Sequence, residues 1–282
     1  MKKYRLWALA VCALSLTALP SCKSDLLDLK PLDHYGTNNY WNNLAQVEAN
    51  YQALNGILRN NYSVFRVFGE LRAGTMKFTV SATGESQSSV EVKQSVLDAD
   101  RPGISNWGGL YGDLLHINLF IKKVETQCPF LTDAERKTYL GKAYGIRAYI
   151  YFVLYKSYGG VVLETEPRVA EEAITDPTSY HKARSSAEET LDFIKKDVEK
   201  SSELLATSPW KSTKTEWSRA ATELLKAEVY LWSAKVTTGN HTATGEADLR
   251  KAKTALEGIV GSQAFDLEDK FAANFDAKKK NG

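Results

Sequence analysis

Two sets of side chains in this 282-residue sequence could do chemistry: a cysteine that closes an apolar leader, and aromatic and basic residues around a polar insertion. Cys22 follows Ser21, at the end of an uncharged apolar run, residues 6–19, that is itself preceded by Lys2, Lys3 and Arg5. A basic start, a short apolar run and a small residue form a secretory signal peptide, and the run is too short to span a bilayer, which takes about 20 apolar residues. Because cysteine follows the small residue, the pattern is that of a bacterial lipobox, in which the sulfur is lipidated before cleavage. Residues 1–21 are therefore expected to be a lipoprotein signal peptide, Cys22 the lipidated N-terminus, and 22–37 an extended tether broken by Pro31 and Gly36. With Cys12 in the leader and Cys22 lipidated, Cys128 stands alone, and the mature chain can form no internal disulfide.

Spacing excludes most other chemistry. His34, His116, His181 and His241 are scattered, with no HExxH and no CxxC, so no metal site is expected. The glycines Gly108, Gly109, Gly112, Gly159 and Gly160 lack the spacings that cradle phosphate. Asp98 with Asp100 and Glu164 with Glu166 read as solvated charge rather than as the paired carboxyls of a glycosidase, and no GxSxG elbow occurs. Neither an enzyme nor a cofactor is expected. Stacking and hydrogen bonding remain: exposed rings can lie on the apolar face of a pyranose while arginines donate to its hydroxyls. Residues 78–103 are rich in Ser, Thr, Gly and Asp without helical period, and are expected to form a long loop or short hairpin. Phe78, as a stacking platform, and Arg72 and Arg101, as donors, are the candidates at this insertion. Tyr62, Trp210 and Trp217 are further aromatics beside polar connections, whereas Trp107 reads as structural, on the apolar stripe of its helix.

Helices must position these residues. Tyr40, Leu44, Val47, Tyr51, Leu54 and Leu58 recur at three and four, with Thr37 or Asn39 as cap. Trp107, Leu110, Leu114, Ile117, Ile121 and Val124 repeat the pattern. Thr132 with Glu135 is a capping box opening a helix through Ile146 and Leu154 that Gly159 and Gly160 stop. Ser185 or Ser186 opens another, Ser218 a further one, and 247–260 the last. Ala143, Ala148, Ala220 and Ala227 stand where large neighbours must approach, as in tetratricopeptide-like helix pairs, although the 34-residue consensus is absent. With 43% hydrophobic and 25% charged residues the chain can bury a core. Without the leader, 33 basic side chains face 34 acidic ones, so no net field attracts nucleic acid.

A longer ordered set carries a family resemblance. Cys22 followed by Leu26-Leu27-Asp28-Leu29-Lys30-Pro31, then Tyr40-Trp41, Gly69-Glu70-Leu71-Arg72, Trp107 and Asn118 come in sequence. The most specific block is Arg147-Ala148-Tyr149-Ile150-Tyr151-Phe152 leading to Tyr158-Gly159-Gly160-Val161-Val162-Leu163, with Val162 where proline is usual, followed by Ala183-Arg184-Ser185 and Asp192-Phe193-Ile194-Lys195-Lys196-Asp197. This order resembles the SusD/RagB family of outer-membrane glycan-binding lipoproteins that work beside TonB-dependent transporters.

The resemblance implies an all-α fold of tetratricopeptide-like helix pairs with irregular loop insertions over residues 38–282, and a C-terminal half that the family continues beyond the position of Gly282. It further implies non-catalytic capture of an oligosaccharide and delivery to a SusC-like TonB-dependent transporter, from a surface-exposed, lipid-anchored position on the outer membrane. The competing expectation is a tetratricopeptide-like protein-interaction scaffold with no glycan site of its own. Export, lipidation and helices are read from the residues themselves, whereas glycan binding comes from the resemblance.

Overall fold

The computed structural model describes residues 40–73, 87–96, 98, 100, 107–171, 175–211, 215–267 and 269–272. The chain divides into two units, Met1–Tyr40 and Trp41–Gly282. The leader, the tether and Cys22 lie outside the described residues.

The second unit is helical. In chain order it contains α1 (Leu44–Asn60), α2 (Tyr62–Phe68), α3 (Gln87–Gln94), α4 (Gly108–Thr126), α5 (Asp133–Tyr158), α6 (Arg168–Glu171), a 3-10 turn (Pro177–Tyr180), α7 (Ala187–Leu204), α8 (Arg219–Lys235) and α9 (Glu246–Gly261). Side-chain caps fix several starts. The Thr132 hydroxyl accepts from the Glu135 amide while the Glu135 carboxylate accepts from the Thr132 amide, and Ser186 with Glu189 forms a second reciprocal box at α7. Ser218 accepts from the Ala221 amide at the start of α8. α1 begins later than its hydrophobic period implied, because Asn43 takes the capping role and accepts from the Gln46 amide. Its buried stripe is Val47, Tyr51, Leu54 and Ile57, so Ile57 and not Leu58 faces the core.

The expectation of a long loop or short hairpin over 78–103 is corrected by α3, which lies within it. Its eight residues bury Val92 fully but leave Val90 half-buried, and two apolar residues two apart carry no helical period.

α5 is the hub. It packs against α4 on one side and α7 on another, and also meets α1 and α8; α7 then packs on α8 and α8 on α9. Successive helices thus cover one another in the stacked, tetratricopeptide-like manner. A helix enclosed on several sides must be apolar or small all round, and Ala143, Ile146, Ala148, Ile150, Phe152 and Leu154 are all fully buried. Close approach of α7 depends on glycine. The Ser201 hydroxyl donates to the Gly141 carbonyl at 2.6 Å, and a Cβ at Gly141 would lie 2.7 Å from Cγ of Leu205. A Cβ at Gly145 would fall inside the indole of Trp217, whose Nε1 donates to the Thr222 hydroxyl at 2.8 Å. Much of the aromatic content is core: Trp41 meets Phe120 edge-on, and Tyr51 packs on both Phe120 and Tyr139. The Tyr139 hydroxyl donates to Glu48 at 2.7 Å, so the buried ring keeps a polar partner.

One buried ion pair crosses this core. Arg147 of α5 donates through Nε and Nη2 to the two carboxylate oxygens of Asp197 of α7, at 2.7 and 2.8 Å, and through Nη1 to the Asn118 side-chain oxygen of α4 at 2.9 Å. Asn118 in turn donates to the Glu164 carbonyl, which also accepts from the Tyr151 hydroxyl, each at 2.8 Å. Burial pushes the Asp197 carboxyl up and opposes charge on Arg147, yet attraction to Asp197 leaves the guanidinium above its ordinary value. The guanidinium makes these three donated hydrogen bonds and also lies over the rings of Tyr144 and Phe193, at 5.0 and 5.2 Å from their centroids.

The glycine contacts make a direct prediction. Gly145→Ala is expected to cost about 1 to 3 kcal/mol by overpacking Trp217. Gly112→Ala, in exposed mid-helix with nothing within 4 Å of the added carbon, is expected to be neutral or stabilising by up to about 1 kcal/mol. Thermal unfolding of the two variants checks this, and a Gly145→Ala protein as stable as the parent contradicts the packing.

Candidate functional site

The end of α5 creates a surface cluster. Gly159, at φ +72°, closes the helix, its amide donating to the Tyr155 carbonyl at 2.9 Å. This left-handed conformation is one that glycine adopts without penalty. The next residue, Gly160, lies so close to the Ser185 and Ser186 backbone that a Cβ has no room. The chain therefore turns away at once, leaving Tyr158 half-buried on the last turn of α5.

Three rings gather at that position. Trp107 meets Tyr158 edge-on at 5.0 Å between centroids, Phe68 meets it at 5.8 Å, and Tyr111 packs on Trp107 at 5.9 Å. All four rings are half-buried. The exposed Arg184 covers Trp107, its guanidinium 5.3 Å from the ring centroid. It also donates through Nε to the Gly160 carbonyl at 2.7 Å and through Nη2 to the Tyr158 carbonyl, which satisfies carbonyls released at the helix end. The Tyr111 hydroxyl donates to the Val162 carbonyl at 2.7 Å, and burial pushes its phenol up to about 12, so Tyr111 is a neutral donor near pH 7. Burial also raises the Tyr158 phenol, and the positive charge of Arg72 acts against that rise.

Of the residues singled out at the insertion, Arg72 acts on this cluster through its charge, which opposes the rise of the Tyr158 phenol. Arg72 is exposed in the turn that follows α2, its amide donating to the Gly69 carbonyl. Phe78 and Arg101 lie outside the described residues. Trp107 packs as a structural ring, but its expected position is corrected: it occupies the N-cap of α4 rather than the apolar stripe, half-buried against Tyr158 and Tyr111. The physical reason is local, since Gly108 and Gly109 supply no side chain to hold a further turn over the core.

Sequence reasoning missed Phe68, Tyr111, Tyr158 and Arg184 as a group. The available signal was the glycine pair after Tyr158, which strands an aromatic at a helix end. Tyr62 is 68% exposed but apart from these ring contacts, while Trp217 is buried against α5 and Trp210 lies under the Arg219 guanidinium at 3.8 Å.

This surface can stack an apolar ring face and donate hydrogen bonds from two guanidinium groups. Glu164 and Glu166, weighed as catalytic carboxyls, instead pair with Lys182 and Lys122. Burial pushes the Cys128 thiol up, away from the reactive thiolate. Among the described residues no group of His, Cys, Asp and Glu could hold a metal ion, and no helix is long and apolar enough to cross a membrane.

Stacked helix pairs with a half-exposed aromatic and arginine surface at one helix end define a tetratricopeptide-like helical scaffold. Residues 27–231 match the SusD-like family described as "Starch-binding associating with outer membrane", and the chain belongs to that family. It is 26% identical over 269 residues to a SusD-like protein of Formosa agariphila, a match covering 95% of this chain and 48% of that protein. Two solved structures from Bacteroides fragilis are also similar. A SusD superfamily protein is 36% identical with a TM-score of 0.73, covering 86% of this chain and 48% of that one. NanU is 34% identical with a TM-score of 0.74, covering 90% and 49%. The chain spans about half the length of these relatives.

Arg184 is predicted to lock the helix end beneath the cluster. Arg184→Ala should speed hydrogen exchange at the amides of residues 158–162 while leaving the 145–152 amides protected. Exchange in 158–162 equal to that of the parent would show that the guanidinium does not hold this turn.

Proposed function

We propose that this protein captures an oligosaccharide at the cell surface without chemically altering it and passes it to a SusC-like TonB-dependent transporter. In this reading, residues 1–21 direct export, lipid on Cys22 anchors the chain in the outer membrane, 22–37 are the tether and 38–282 the helical binding domain. The observation that carries it is the convergence of both described flanks of the insertion on one aromatic cluster. Phe68, just before the insertion, and Trp107, just after it, both pack on Tyr158, and the positive charge of Arg72 acts on the same phenol. Rings held half-open beside guanidinium groups suit a pyranose, whose C–H face stacks while its hydroxyls accept hydrogen bonds. The family's description as starch-binding and outer-membrane-associated supports the same ligand class.

Phe78 and Arg101 are proposed to complete the site from within the insertion, with Arg72 contributing from its edge. Binding to an array of starch-derived and other oligosaccharides tests the reading. Trp107→Ala, Arg72→Ala and Phe78→Ala are expected to weaken the bound glycan, the ring truncations by about 2 kcal/mol, roughly thirtyfold. Unfolding measured on each variant separates lost contact from lost structure. Parental affinity in folded Trp107→Ala and Phe78→Ala proteins would end the site assignment, and release of shortened sugars would replace capture by hydrolysis.

The anchor has its own test. Cys22→Ala should transfer the protein from the membrane to the soluble fraction. Unchanged membrane association together with an unmodified N-terminal mass would remove the lipoprotein reading.

A further inference from the structure

A polar cavity of about 400 Å³ opens between α1 and the segment that leads into α8. Its wall carries Gln52, Asn55, Gly56 and Arg59 from α1, and Glu216 and Trp217 from the facing segment. Asn55 ties the two sides together, its side-chain oxygen accepting from the Trp217 amide at 3.1 Å. Lys142 of α5 holds Glu216, donating to its carboxylate at 2.7 Å.

Two residues of this wall are not explained by packing. Gly56 lies in mid-helix, where glycine is less stable than alanine, yet a Cβ there would meet only Nη2 of Arg59, at the ordinary contact distance of 3.9 Å. No close approach requires this glycine, and its effect is to widen the cavity. Arg59 is exposed and makes no hydrogen bond or ion pair among the described residues. The end of α1 does not need it, because the Asn61 side chain donates to the Ile57 carbonyl at 2.9 Å. Its guanidinium instead reaches back beside Gly56, on the cavity wall.

The chemistry of the wall selects the ligand. Arg59 is its one cation and Glu216 its one carboxylate, so an anion is opposed by Glu216 and a cation by Arg59. A neutral molecule with several hydroxyls suits both, since a hydroxyl accepts from a guanidinium and donates to a carboxylate. Leu58 and Ala221 add apolar surface for a C–H face, and the volume falls within the range of small-molecule sites.

We infer that this cavity is a second sugar subsite, holding a further unit of the same oligosaccharide that the Tyr158 cluster captures. The inference rests on the capture reading and narrows its ligand to a chain long enough to reach both places. α2 joins them. Phe68 packs on Tyr158 at 5.8 Å, Phe65 packs on Tyr149 at 5.1 Å, and Tyr149 meets Trp217 of the cavity wall at 6.1 Å. Phe65, Phe68, Tyr149 and Tyr158 are all half-buried, so partly open rings line the interval between the two sites. Tyr149 and Tyr158 are nine residues apart on α5, about 13 Å of helix, which one sugar ring cannot bridge.

Calorimetric binding of maltotriose and maltoheptaose to the full chain tests this. The parent is expected to bind maltoheptaose on the order of tenfold more tightly, because the second subsite is engaged by a ligand already held at the first. Gly56→Leu fills the cavity and Arg59→Ala removes its donor. Each should lower maltoheptaose affinity to about that of maltotriose while leaving maltotriose binding at the parental value. Neither position contacts the core, so both variants should retain the parental helical circular dichroism and melting. Maltoheptaose affinity undiminished in either folded variant overturns the subsite and leaves the capture reading standing. Equal loss of both sugars also overturns it, because the cavity would then be the primary site. A parent that binds neither sugar, or both equally, overturns the subsite as well, whereas the capture reading fails only if the wider oligosaccharide array is also blank.

Discussion

The ion pair between Arg147 and Asp197 is the interaction on which the remaining architecture depends. Both groups are almost wholly buried, and neither tolerates loss of the other, because removing one partner of such a pair leaves an uncompensated charge at a cost of about 3 to 5 kcal/mol. The pair need not add net stability over a well-packed apolar substitute. What it sets is register. A two-pronged guanidinium–carboxylate contact is satisfied at one rotation and one axial position of α5 against α7, whereas leucines tolerate sliding. The third prong to Asn118 extends the same constraint to α4, and Asn118 passes it to the Glu164 carbonyl. Three helices and the segment after α5 are thus placed by one connected set of hydrogen bonds.

The surface cluster inherits that placement. Tyr158 lies three turns beyond Arg147 on the same helix, so the register that seats Arg147 also determines where the last ring emerges. The Gly159 and Gly160 turn and the Arg184 contacts then hold the returning chain beneath it. Trp107, at the start of α4, arrives from a helix locked to α5 through Asn118. A buried polar network and a half-buried aromatic one are therefore mechanically continuous, and the rings meet at the ends of helices.

Glycine and alanine do the complementary work between helices. At Gly141 and Gly145 the absence of a side chain lets Leu205 and Trp217 seat directly on α5, and Ala227, Ala252 and Ala255 do the same between α8 and α9. Every interior layer of the stack is closed in this way. On the outer side of that last pair, Leu224, Leu231, Leu256 and Val260 remain exposed together.

The local features were legible because their physics is local. Thr132 with Glu135, Ser186 with Glu189, and Ser218 are caps formed within three or four residues, so spacing alone located three helix starts, and Gly159 with Gly160 located an end. α3 escaped because eight residues with a single fully buried apolar side chain carry no period. Arg147 and Asp197 are 50 residues apart, and each was visible as part of a recognisable block without any sign that they pair. The candidate site was legible only in part: Arg72 was chosen from its position beside the insertion, whereas the grouping of Tyr158, Arg184 and Trp107 required knowing which helix ends meet. By itself the sequence determined a helical chain of the SusD-like kind, with its caps and its stops. Tertiary structure alone decided which aromatics became core and which became surface, because a ring's exposure depends on neighbours far away in the chain, brought there by helix packing and one buried charge pair.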